Sequence, residues 1–163
     1  MLLVEPLAIT DTETAATLHD KLAEQGARLI VAALQALPLK TMVAQDQPVE
    51  GATYAAKLNK AEAALDFTQP ALQLARRIRA FNPAPGATLQ LPDIDEPVKV
   101  WSAVALTTPT QQTTPGTVIG VSPEGLDVAT AKGVLRLTEL QRAGGKRQSA
   151  AAFIQGWVGA PKT

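Results

Sequence analysis

The chain has 163 residues with 15 basic and 15 acidic side chains, one His, no Cys, and 46% hydrophobic against 4% aromatic content. That composition excludes disorder throughout, all cysteine chemistry and any disulfide framework, and a chain of this length can bury roughly 70% of its unfolded surface. The zero net charge hides an asymmetry: residues 1–50 carry three basic and seven acidic side chains, and residues 51–163 twelve and eight, so −4 is followed by +4.

No apolar run approaches the ~20 residues of a membrane span, and the start MLLVEPLAIT has neither a basic region nor a small-residue cleavage site. A cytoplasmic protein with no membrane partner is the expectation. Val4 to Ile9 predicts a short extended piece, followed by Thr10, Asp11, Thr12 and Thr14 as sources of a helix N-cap. Leu18, Leu22, Leu29, Ile30, Ala33, Leu34 and Leu37 then recur at three- and four-residue spacings, a helix to about Leu37 with a break or bend at Gly26. One strand and one helix cannot close a core, so residues 1–37 read as the end of a larger domain or as a helix that docks on the second unit of the chain. Two prolines and a glycine without apolar period make residues 38–53 a linker.

Residues 54–163 are predicted to fold by themselves. Thr68 as N-cap and Pro70 in the first turn open a helix whose buried face is Ala71, Leu74, Ala75, Ile78 and Phe81, and Asn82-Pro83 ends it. Five strand-like runs succeed it, at 87–91, 98–106, 116–121, 126–130 and 134–140, separated by PDIDEP, TPTQQTTP, SPEG and AKG. In the second run Val98, Val100, Val104 and Leu106 are expected on one face, with Lys99 and Trp101 on the other. A last helix starts near Ser149, and the whole reads as α+β: a strand and helix, then a small closed or partly open barrel with flanking helices.

No catalytic constellation emerges. His19 is the only imidazole, reads as a helix-surface residue, and leaves neither a nucleophile–base pair nor a metal-ligand set, and Gly144-Gly145 stands outside either nucleotide fingerprint. Catalytic, metal and cofactor-binding residues are therefore expected to be none. The cations are better organised: Arg76 and Arg79 fall opposite the apolar stripe of their helix, with Arg77 beside it, Lys57 and Lys60 precede the helix, Lys99 neighbours Trp101, and Lys146-Arg147 occupies a loop. Such groups either solvate a surface or grip phosphates. Trp101, Phe67, Phe81 and Phe153 are read as core residues in preference to base-stacking ones, while Tyr54 has few apolar neighbours.

The runs YAAKLNKAEAALDF (54–67), RRIRAFNPAPG (76–86), KVW (99–101), PGTV (115–118), GLDVATAKGVLRLTELQ (125–141) and GKRQSAAAFIQG (145–156) resemble the C-terminal part of methionyl-tRNA formyltransferases, and ITDTETAATLHDKLAEQGARLI resembles the end of their catalytic domain. The resemblance is collinear over essentially the whole chain. It implies the terminal strand and helix of an α/β nucleotide-fold domain (1–37), a linker (38–53) and a barrel similar to an oligonucleotide-binding fold (54–163). It also implies formyl transfer from 10-formyltetrahydrofolate to methionine on initiator tRNA, with the catalytic Asn, His and Asp in a missing N-terminal catalytic domain. Lys57, Lys60, Arg76, Arg79, Lys146 and Arg147 match positions that are usually basic in the family, which implies that they bind the initiator methionyl-tRNA. On this reading the chain is a monomeric fragment, inactive alone. Ala84, where Trp is common, and AKG in place of GDG depart from the family pattern. Related formyltransferases or hydrolases with a similar C-terminal packing module, and a free-standing remnant or interaction protein, are the alternatives.

Overall fold

A computed structural model describes residues 1–39, 41–108 and 113–157. The chain divides into two units, Met1–Lys57 and Leu58–Thr163, a boundary a few residues beyond the predicted linker.

The first unit is built around helix α1, Ala15–Ala36. Of the four candidate caps it is Thr14 that serves: its hydroxyl accepts from Thr17 N at 3.2 Å, and Thr17 Oγ1 accepts from Thr14 N at 3.0 Å, so two orphan amides at the helix start are satisfied reciprocally. The expected break at Gly26 is absent, because helical hydrogen bonds continue through it and a glycine only weakens a helix. The expected strand at Val4–Ile9 is also absent: these residues form no ladder, having no neighbouring strand to pair with. Polar contacts hold the segment instead. Gln25 Nε2 donates to the Glu5 carbonyl at 3.0 Å, and Arg28 donates to both Glu5 carboxylate oxygens at 2.9 and 2.6 Å. Glu13 accepts from Lys21 Nζ and Thr17 Oγ1, each at 2.8 Å. Leu22, Ile30, Val31, Leu34 and Leu37 remain about half exposed or more. Among its described residues this unit has hydrogen-bonded clips and no apolar core cluster.

Those clips predict a pH response. The Arg28 hydrogen bond holds the Glu5 carboxyl below the usual glutamate range, and those from Lys21 and then Thr17 do the same for Glu13. A lowered folded pKa means the contribution is present above the ordinary glutamate value and is lost as pH falls through the lowered one. Residues 5–13 are therefore expected to detach from α1 below about pH 4, read as loss of their nuclear Overhauser contacts with Lys21, Gln25 and Arg28, while the amides of the second unit stay protected. Contacts that persist at that pH, or loss of protection in the second unit, would contradict this.

The second unit is an α+β fold. It starts with a 3-10 turn at Lys60–Ala63, followed by α2 (Ala71–Ala80), β1 (Ala87–Leu89), β2 (Val98–Leu106), β3 (Val118–Ser122), β4 (Gly125–Ala129), β5 (Val134–Gln141), β6 (Gln148–Ser149) and α3 (Ala150–Gln155). The strands form one antiparallel sheet in the order β1-β2-β5-β4-β3, with β6 added beside β5. Among the described residues β1 and β3 do not pair, so the barrel-like sheet is partly open. Its core joins Leu74 and Ile78 of α2 and Phe153 of α3 to Val98, Val100, Leu126, Val128, Leu135, Leu137 and Leu140, all at most 1% exposed. Among the described residues no helix is long and apolar enough to cross a membrane.

Two expectations fail here for tertiary reasons. The N-cap of α2 is Pro70, not Thr68, whose amide and hydroxyl are spent on Asp66 Oδ1 at 3.0 and 2.6 Å. The Ala71 amide donates to the Lys132 carbonyl at 3.0 Å, so the β4–β5 turn serves an orphan amide at the helix start. That turn needs Gly133, with φ +83°, because a Cβ there would lie 2.6 Å from the Leu106 carbonyl oxygen. The alternation of β2 also breaks. A register shift between Val100 and Ala103 puts Ala103 and Ala105 against the core and leaves Val104 51% exposed. The predicted turn residues 109–112 lie outside the described residues.

Candidate nucleic-acid interface

Most of the cations in the second unit that have a defined partner are absorbed by the fold. Arg136 forms a fork-on-fork pair with Asp127, Nε to Oδ1 and Nη2 to Oδ2 both at 2.7 Å, and that pairing raises its pKa. Arg77 lies 5.3 Å from the centroid of Phe81 and 3.9 Å from Glu62, whose other oxygen accepts from Asn59 N at 2.9 Å. Glu62 thus ties the turn that carries Lys60 to α2. Arg142 sits over Phe153 at 5.1 Å and donates to the Gly156 carbonyl at the end of α3.

The six residues singled out in the sequence fall into three groups. Lys57 is exposed at the end of the first unit. Lys60 is exposed, as is Arg76, and Arg79 is half-buried on the side of α2 away from Leu74 and Ile78; none of the three side chains has an ion pair or hydrogen bond among the described residues. Lys146 is exposed in the β5–β6 loop and has no ion pair or hydrogen bond among the described residues, whereas its neighbour Arg147 pairs with Glu139. No hydrogen bond, ion pair or ring contact among the described residues links the α2 arginines to that loop.

One cluster gathers residues that the sequence left separate. Trp101 is half-buried, with Lys99 Nζ 5.5 Å and the Arg147 guanidinium carbon 5.4 Å from its ring centroid. Its Nε1 donates to Gln141 Oε1 at 2.8 Å, Gln141 Nε2 donates to the Gly145 carbonyl at 2.8 Å, and Asn82 Nδ2 donates to the Trp101 carbonyl at 3.1 Å. Trp101 is thus no core residue, in contrast to Phe81 and Phe153, which are buried as expected, and Phe67, which packs against the core. The signal for it lay in the KVW run, where Lys99 and Trp101 flank an inward valine, but the approach of Arg147 from 46 positions away was not legible. Tyr54 is 99% exposed.

Among the described residues no acid–base pair assembles. His19 is an exposed helix residue, 3.3 Å from the exposed Asp20, and no group of three metal-ligating side chains occurs among the described residues. A cleft between Pro70–Leu72, Ala105–Thr107 and Lys132–Gly133 offers one cation, no carboxylate and no imidazole.

The family described as formyl transferase, C-terminal domain, matches residues 57–157. Methionyl-tRNA formyltransferase of Bordetella petrii is 58% identical over 157 residues, covering 96% of this chain and 49% of its own length. The enzyme of that name from Paracidovorax citrulli is 47% identical over 167 residues, covering 99% of this chain and 50% of its own length. The chain spans about half the length of the curated relatives it matches. Among solved structures, a variant of HypX from Aquifex aeolicus superimposes with TM-score 0.66 at 16% identity, over 96% of this chain and 27% of that one, a likeness of fold.

Proposed function

This chain belongs to the formyl transferase C-terminal domain family, and we propose that it is the tRNA-holding part of a methionyl-tRNA formyltransferase of the cytoplasm. The observation that carries the proposal is the set of cations Lys60, Arg76, Arg79 and Lys146, unpaired among the described residues, on the second unit of a chain 58% identical to a protein of that name. In this reading the half absent here supplies the folate site and the acid–base groups. It also covers the apolar residues Ile30, Leu34 and Leu37 that α1 leaves exposed. The second unit contributes phosphate contacts that keep the acceptor arm of initiator methionyl-tRNA in place while methionine receives the formyl group from 10-formyltetrahydrofolate. Lys57, Lys60, Arg76, Arg79, Lys146 and Arg147 position the RNA; none is a catalytic residue.

Contacts of this kind are ionic and indifferent to sequence. The chain should therefore bind initiator and elongator tRNA with similar, weak, salt-sensitive affinity. Replacing Arg76 and Arg79 together by Ala is expected to weaken both equally and to lower the slope of log K against log salt by about two, one for each phosphate no longer neutralised. Leu74, Ile78 and Phe81 are untouched, so circular dichroism should report an intact fold. Unchanged affinity in a folded double variant would reduce these arginines to solvated helix surface and favour a packing module without RNA.

A further inference from the structure

Strand β5 carries one arginine–carboxylate pair through Arg136 and accepts another through Glu139, and the two are built differently. Arg136 and Asp127 match fork to fork, with side chains 29% and 19% exposed. Arg147 instead sends both Nε, at 2.9 Å, and Nη2 to one oxygen of Glu139, with side chains 47% and 39% exposed. The second Glu139 oxygen and the Arg147 Nη1 have no partner in this pair. Such a pair is wet and incompletely matched, so it contributes little and exchanges readily.

The platform beneath the pair stays fixed when it exchanges. The Trp101 ring holds Arg147 and Lys99 by cation–π contact, and the Trp101–Gln141–Gly145 hydrogen bonds anchor the loop that delivers Lys146 and Arg147. Two cations, Lys99 and Arg147, sit over this ring, and the exposed Lys146 precedes Arg147 in the same loop; Glu139 is the carboxylate that Arg147 pairs with. A phosphate diester carries the same charge as Glu139 and offers two non-bridging oxygens to an arginine fork.

We propose that Lys99 and Arg147, gathered on Trp101, form with the adjacent loop residue Lys146 a phosphate-binding site whose resident anion in the free protein is Glu139, displaced when phosphate binds. The natural occupant, a backbone phosphate of tRNA, rests on the function proposed above; the site's anion chemistry rests on the geometry of the cluster. Glu139 thereby sets a threshold: it keeps Arg147 oriented and lets only a ligand with several phosphates compete.

The test uses the whole chain, labelled for arginine Nε–Hε NMR, with two probes, sodium tripolyphosphate and initiator tRNA. Both are expected to move the Arg147 resonance and leave that of Arg136 unmoved. E139Q, which keeps the shape and removes the charge, is expected to tighten tRNA binding by roughly two- to fivefold, the range an exposed ion pair supports. R147A should weaken binding, and E139Q/R147A should match R147A, because the gain runs through Arg147. If tRNA binds the wild type but Arg147 is unmoved and E139Q binds no tighter, the site is refuted while the tRNA-holding function stands. If tripolyphosphate moves Arg147 but tRNA does not bind, the site stands and that function fails.

Discussion

Supplied with charged initiator tRNA and 10-formyltetrahydrofolate, the purified chain is expected to form no formylmethionyl-tRNA above a protein-free control. Enzymes lower barriers by roughly 8–23 kcal/mol, and only groups bound more strongly to the transition state than to the ground state contribute. The contribution proposed for this chain is phosphate binding, which is the same in both. His19, the one imidazole of the chain, is 80% exposed on α1, with Asp20 3.3 Å from its ring, and stands in no nucleophile–base arrangement among the described residues. Product formation that survives removal of contaminating host enzyme, checked by acid gel or mass spectrometry of the aminoacyl end, would overturn the assignment of catalysis to the other half. Formylation restored by adding that half separately would support it.

The largest stability effect is expected at Leu137. It lies at the centre of β5, opposite Leu126 of β4 and Ala103 of β2, and is fully buried. Truncation to Ala removes transfer free energy and leaves a cavity in a sheet held on both sides, at a cost of about 3–5 kcal/mol. That is a large part of the ~5–15 kcal/mol available to a domain of this size. The melting temperature of the second unit should fall by roughly 12–25 °C. Val104→Ala is the control: strand alternation places Val104 in the core beside Val100, but the register shift leaves it 51% exposed, so a change within about 0.5 kcal/mol is expected. A large effect at Val104 would show that the bulge is misplaced.

The basic positions themselves were readable as a pattern, since Arg76 and Arg79 fall opposite a stripe of Leu74 and Ile78 by helical spacing alone. Which of the cations are free was not. Arg136, Arg142 and Arg147 look equivalent in sequence, yet Arg136 is locked on Asp127, Arg142 on the Gly156 carbonyl, and Arg147 is shared between Glu139 and Trp101. Pairing across strands depends on register, and register depends on bulges that leave no local trace.

By itself the sequence determined the elements whose cause is local. The period of α1 and its threonine cap, the apolar face of α2, five strand runs bounded by Pro and Gly turns, and a last helix starting near Ser149 all arise from side-chain spacing and backbone chemistry within a few residues. Tertiary structure decided whatever required a distant partner. Val4–Ile9 forms no strand because no neighbouring strand pairs with it, and α2 starts at Ala71 because the Lys132 carbonyl, 61 positions away, accepts its amide. Val104 faces outward because one shifted pair with β5 reverses a two-residue period, and Trp101 leaves the core role to stand between Lys99 and Arg147 because the sheet and its loop converge there. A hydrogen bond or ring contact is made by whichever group arrives, and only the folded sheet settles which group that is.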